Sequence, residues 1–224
     1  MKKNKVLVVA VHPDDETLGC GGTLLKHRSQ GDEIFWLIMT TIKKDNGFRS
    51  EYLSKRNAEI KRVSRAFGFK KTIQMDFPVI RIDEVPRCEL VKKIAQCFKE
   101  IQPNILYLPF KFDVHSDHKT VFEVAYSCTK HFRHPYLKKI LMMETISETE
   151  FAPALAESTF MPNCFFDISD FLNKKIAIMK LYKSELGKHP FPRSVENIKA
   201  LATFRGATAG CRYAESFMTL KEVI

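Results

Sequence analysis

Val6-Leu7-Val8-Val9-Ala10-Val11-His12-Pro13-Asp14-Asp15-Glu16-Thr17-Leu18-Gly19-Cys20-Gly21-Gly22 is the stretch whose reading decides the fold. Its apolar run is unbroken, the pattern of a strand buried on both faces. A polar turn follows at once, so imidazole and carboxylate groups stand where that strand ends. In an open α/β sheet, function gathers outside the carboxyl ends of the strands. A second apolar run, Ile105-Leu106-Tyr107-Leu108, leads to His115-Ser116-Asp117-His118, about a hundred residues further on.

Working outward, apolar or β-branched runs predict strands over Val6–Val11, Glu33–Thr40, Thr72–Met75, Ile105–Leu108 and Lys139–Met143. Between them helical periodicity predicts helices near Leu18–Gln30, Glu51–Phe67, Glu84–Ile101 and Lys119–Phe132. Strand and helix in turn imply βαβ units, hence an α/β fold with a mostly parallel sheet and helices on both faces. Beyond about residue 145 the alternation weakens, and Pro153, Pro162, Pro190 and Pro192 mark irregular connections. One helix near Asp170–Leu186 and a closing strand near Tyr213–Thr219 are expected there. The stretch Ile146–Asn163 reads equally as a loop over the site or as an ordinary surface connection.

The chain has 224 residues, 45% of them hydrophobic, which suits one well-buried core, and residues 1–224 read as a single domain. Lys and Arg number 36 against 26 Asp and Glu, a formal charge of +10. The basic doublets are scattered, which favours a solvated basic surface over a nucleic-acid groove. The six cysteines contain no C-x-x-C pair and resemble neither a disulfide framework nor a thiolate metal site. No apolar stretch approaches the 20 or so residues of a membrane span, and no cleavage site follows the basic start, so a soluble, cytoplasmic location is expected.

Imidazole and carboxylate together are what a catalytic zinc ion takes, usually three protein ligands with a fourth position left open. His12 and Asp15, leaving one strand, can face one ion, and either His115 or His118 would supply a third ligand. His27, His131, His134 and His189 lack such company and read as structural or surface residues. Gly19-Cys20-Gly21-Gly22 after a strand suggests a dinucleotide fingerprint, but Leu24 stands where its third glycine belongs. The second strand also ends in Thr40-Thr41 and not in a ribose-binding acid. The small residues then serve tight packing of the first helix on the sheet.

The two clusters, His12-Pro13-Asp14-Asp15-Glu16-Thr17-Leu18-Gly19-Cys20-Gly21-Gly22 and His115-Ser116-Asp117-His118, resemble the PIG-L/LmbE-type deacetylases, zinc enzymes that remove acetyl from N-acetylglucosamine units. Weaker matches are Arg56-Asn57-Ala58-Glu59, Ala66-Phe67-Gly68, Arg205-Gly206, Gly210 and Tyr213-Ala214-Glu215-Ser216-Phe217. The resemblance implies a Rossmann-like domain in which His12, Asp15 and His118 hold zinc, or iron(II) in the same donors. It implies Asp14 as general base, His115 as the group facing the developing oxyanion, and Arg56 as a lining residue of the substrate pocket. Asp117 would either orient a histidine or sit exposed in the turn. The implied substrate is a small amino sugar, with an anionic one suggested by the surface charge, and a homo-oligomer stays open. Rival readings are a zinc amidase for another N-acyl group, a nucleotide-binding module and a metal-binding protein without turnover; a second carboxylate beside the ligands, Asp14, argues for an enzyme.

Overall fold

A computed structural model describes residues 3–42 and 50–224; Met1 and Lys2 of the basic start lie outside the described residues. In chain order the elements are β1 Lys5–Ala10, α1 Asp15–Ser29, β2 Glu33–Thr41, α2 Ser50–Phe67, β3 Lys71–Pro78, α3 Arg87–Ile101, β4 Ile105–Leu108, α4 Ser116–Ser127, β5 Lys139–Met143, β6 Cys164–Asp167, α5 Leu172–Met179, α6 Val195–Ala209 and β7 Ala214–Glu222. They build a seven-stranded sheet in the order β3-β2-β1-β4-β5-β7-β6. Strands β1 to β5 run parallel, while β7 pairs antiparallel with both β5 and β6. This is the expected mostly parallel α/β architecture.

Why the run Val6–Val11 is unbroken and apolar is plain from its neighbours. Val6, Val8 and Ala10 enter the core on one face, with Leu24 of α1, Val63 and Phe67 of α2 and Ile178 of α5. Leu7, Val9 and Val11 enter the core on the other, with Ile94 and Phe98 of α3 and Phe122 of α4. All six side chains are fully buried. Period-two alternation thus distributes the run between two apolar layers, and none of it meets water.

The glycines after the turn serve the packing role. A Cβ added at Gly22 would stand 2.7 Å from Ile168 Cγ2, and one at Gly19 would stand 2.8 Å from Met143 Cγ. Helix α1 is also bent, since Cys20 has φ −146° and ψ 21° inside it. The carboxylate of Glu215 on β7 accepts from Gly22 N at 2.8 Å and Thr23 N at 2.7 Å, satisfying amides just past the bend.

Several expectations require correction. Helices α1 and α4 begin three residues earlier than the apolar periodicity suggests, because Asp15 and Ser116 open them and polar first turns carry no core-facing signal. Helix α3 starts at Arg87, after a separate 3-10 turn over Ile82–Glu84, and α4 stops at Ser127. The single helix expected over Asp170–Leu186 is the shorter α5, and α6 and β6 went unanticipated. In α6 the buried positions are few, Ile198, Ala202 and Gly206, and two of them are small, which mutes the apolar stripe. Strand β6 is four residues long at a sheet edge.

Candidate active site

Strand order explains how residues a hundred positions apart meet. Chain order reverses between β1 and β4, which lie side by side and parallel, so the turns leaving them open into one crevice. His12, Pro13 and Asp14 lie between β1 and α1, and Asp15 opens α1. His115 is the N-cap of α4, and His118 stands in its first turn.

Ligand atoms of His12, Asp15 and His118 lie within 4.8 Å of one another. Asp15 Oδ2 accepts from the backbone N–H groups of Val11 and His12, both at 2.9 Å, which locks the carboxylate in place. His118 is wholly buried; its Nδ1 meets Asp113 Oδ2 at 2.8 Å, and Asp113 is braced by Thr149 Oγ1 at 2.6 Å. The opposite nitrogen, His118 Nε2, has no hydrogen-bond partner and sits 3.4 Å from Asp15 Oδ2. Burial alone would lower the His118 pKa, yet the Asp15 and Asp113 carboxylates push it up to about 9. An orphaned, buried imidazole nitrogen beside a carboxylate, with a second carboxylate behind the ring, fits the carboxylate–histidine–metal arrangement. These donors suit a divalent ion.

Asp117 resolves between its two readings. It is fully buried; its Oδ2 is 3.2 Å from His12 Nε2 and accepts from Ile80 N at 2.7 Å, and its Oδ1 accepts from Ile82 N at 3.3 Å. Burial raises its pKa, but the bonds from His12 and Ile80 win and hold the carboxyl below its usual value. It orients His12 and is no surface residue.

Asp14 is 3% exposed and holds the strained backbone angle φ 144°. Its N–H donates to Glu16 Oε2 at 3.1 Å, and its Oδ2 accepts from Arg193 Nη1 at 3.0 Å. Burial, then the Asp15 and Glu185 carboxylates, push its pKa well above the ordinary range against the pull of Arg193. His115 stands beside His12, ring centroids 4.6 Å apart. Its Nδ1 accepts from Asp117 N at 3.1 Å, which leaves the proton of the neutral ring on Nε2. Burial, then the neighbouring His12, lower its pKa.

A cavity of about 330 Å³ opens onto these groups, lined by Asp14, Arg56, Ile80, Glu148, Glu185 and Arg193 among others. Arg56 lines this cavity too, but its guanidinium is committed: it pairs with Glu185 and Glu59 and donates to Pro13 O at 3.5 Å. Arg193 bridges Asp14 and Glu185, the latter at 3.3 Å. Both arginines thus grip the turn after β1 while Glu185 ties them together. Asp113, Glu148, Glu185 and Arg193 were missed in the sequence, since each is a lone charged residue in a connection and acquires meaning only through the fold. Glu148 belongs to the stretch 146–163, so the start of that connection does reach the site; its Oε2 is buried without a partner, and burial pushes its pKa up to about 7. His27 and His134 take the structural reading: His27 is buried between Asp32 and Tyr107, and His134 lies against Tyr136.

Among curated proteins, the chain is 25% identical over 218 residues to a diacetylchitobiose deacetylase of Thermococcus kodakarensis, covering 94% of this chain and 81% of the relative. Among solved structures, it matches the conserved protein TT1542 of Thermus thermophilus with TM-score 0.78 and 26% identity, over 99% of this chain and 96% of that one. It matches an N,N'-diacetylchitobiose deacetylase of Pyrococcus horikoshii with TM-score 0.76 and 22% identity, over 97% of this chain and 84% of that one, a likeness of fold. No described helix is long and apolar enough to cross a membrane. The profile of the GlcNAc-PI de-N-acetylases matches residues 7–129, more than half of the chain, and this protein belongs to that family, PIG-L.

Proposed function

We propose that the chain is a metal-dependent N-deacetylase acting on an N-acetylated amino sugar of the N-acetylglucosamine type, with residues 1–224 forming one catalytic domain. The observation that carries this is the convergence of His12, Asp15 and the unpartnered His118 Nε2, with Asp14 alongside. His12, Asp15 and His118 would hold zinc, or iron(II), which when bound supplies Lewis-acid polarisation and a nucleophile at neutral pH. Asp14 takes the proton of the attacking water and passes it to the departing nitrogen, the double duty of a general base and acid. His115, with its Nε2 proton fixed, donates to the oxygen that becomes negative in the tetrahedral intermediate. Arg193 and Arg56 hold Asp14 and Pro13 in place, while Asp113 and Asp117 orient the two liganding histidines.

Support for a sugar comes from the diacetylchitobiose deacetylase relative. The test is acetate release by zinc-loaded protein from a panel of N-acetylated sugars and N-acetylated amino acids. Release from the sugars is expected. Hydrolysis of the amino acids with the sugars untouched would replace this reading with the other amidase, and no release from either would leave a binding protein.

A further inference from the structure

Asp14 occupies the N-cap of α1, yet its side chain makes no capping bond to the first-turn amides. An N-cap aspartate ordinarily commits its carboxylate there, on a backbone in the extended region. Asp14 instead has φ 144° and ψ −26°, angles that a residue with a Cβ keeps only where its surroundings impose them. The imposing group is close by. Glu16, two residues on and fully buried, accepts the Asp14 N–H on Oε2 at 3.1 Å. This is one half of a capping box, in which an acid of the first turn reaches back to the backbone N–H of the cap. The other half, the side chain of the cap bonded to the helix, is missing, so the Asp14 carboxylate is left for the cavity it lines.

Glu16 is itself held from far along the chain. Its Oε1 accepts from Tyr182 Oη at 2.9 Å and from Thr17 Oγ1, and both donor residues are fully buried. Tyr182 stands just past the end of α5, 166 residues away in sequence. Its ring centroid also lies 5.8 Å from the guanidinium of Arg56, which donates to Pro13 O. One tyrosine thus backs two contacts that set the turn after β1, one through Glu16 and one through Arg56.

We infer that Glu16, seated on Tyr182, is a positioning residue for the reaction: it fixes the backbone of Asp14 so that a carboxylate released from capping faces the reacting groups. Glu16 acts through Asp14 and by hydrogen bonding. The kinetic side of this inference rests on the deacetylase reading, whereas the backbone side does not.

Crystal structures, together with acetate release from an N-acetylglucosaminide by zinc-loaded protein, test it on the wild type, Glu16→Met, Glu16→Gln and Tyr182→Phe. Methionine fills the space without an acceptor. In Glu16→Met the Asp14 φ should leave the positive region, and kcat should fall about 10²-fold, the effect of a displacement of about 1 Å, with KM and bound metal near wild type. Glutamine can still accept the Asp14 N–H while its amide donates to the two hydroxyls, so Glu16→Gln should hold the wild-type φ and regain most of kcat. Tyr182→Phe should lower kcat about fivefold, the effect of losing one hydrogen bond. Glu215→Gln, which removes a buried carboxylate elsewhere along α1, controls for stability and should keep its kcat well below its melting temperature. An unchanged Asp14 φ in Glu16→Met, no rescue by Glu16→Gln, or an equal loss in Glu215→Gln overturns the inference. If Glu16→Met does not fold, Tyr182→Phe decides, and wild-type kcat there overturns it. Absence of acetate from the wild type, with the Asp14 φ released in Glu16→Met, refutes the deacetylase and leaves Glu16 as the residue that sets the turn.

Discussion

Replacing Glu215 by Gln would cut the brace between α1 and the sheet. The Glu215 and Lys175 side chains are each 5% exposed and 2.7 Å apart, and Glu215 also accepts from Gly22 N and Thr23 N. Lys175 donates in addition to Leu18 O at 2.8 Å. Glutamine keeps the volume but loses the charge, and its NH₂ end must face an ammonium or a backbone N–H. Removing one partner of a buried ion pair costs about 3–5 kcal/mol, so about 4 kcal/mol is expected. At about 2–4 °C per kcal/mol for a chain of this size, Tm falls by roughly 10 °C. Urea denaturation followed by circular dichroism at pH 7 measures it on the wild type, Glu215→Gln, and the double variant Glu215→Gln with Lys175→Met. The double variant should recover part of the loss, because no buried ammonium is left unpaired. A single variant within about 1 kcal/mol of wild type, or a double variant no better than the single, refutes the reasoning.

His115→Ala should lower kcat by about 10²–10³-fold with bound metal retained, the cost of one oxyanion donor, whereas His118→Ala should lose the metal; metal analysis beside kinetics checks both. Metal loss in the first variant would mean that the two histidines have exchanged roles. Asp113→Ala should weaken metal affinity by about 10–100-fold, read by competition with a chelating dye. His27 offers a pH prediction: burial lowers its pKa below 6.5 in spite of Asp32, so below that pH the unfolded chain holds a proton the folded one resists. Stability should therefore fall as pH drops from about 6.5, and His27→Gln should flatten that fall in urea midpoints compared between pH 7.5 and pH 5.5. An equal slope in both proteins would clear His27 of the effect.

Much of this molecule was legible because its central strands and its candidate ligands carry local signals. Val6–Val11 announces a strand covered on both faces, and the polar turn behind it announces a strand end with chemistry. What stayed hidden depends on chain crossings. Arg193 sits in a proline-rich connection with no pattern of its own, and only the return of that connection over the site sets its guanidinium on Asp14. Asp113 precedes the His115 cluster without any spacing that marks it, and its role comes from the Nδ1 of His118. Glu215 was visible within the Tyr213–Phe217 match, but its work under the bend of α1 needed β7 inserted between β5 and β6. Helix α6 went unread because Gly206, where a Cβ would meet Arg212 O at 2.7 Å, and Ala202 make its buried face small.

The proposed chemistry stands on Asp14 as the acid–base group beside a metal centre it does not build. Acetate released from an N-acetylglucosaminide per bound metal ion, compared between the wild type and Asp14→Asn, tests this most directly. The expected result is near-stoichiometric metal in both proteins with turnover only in the wild type. Metal-loaded Asp14→Asn turning over at the wild-type rate would contradict it.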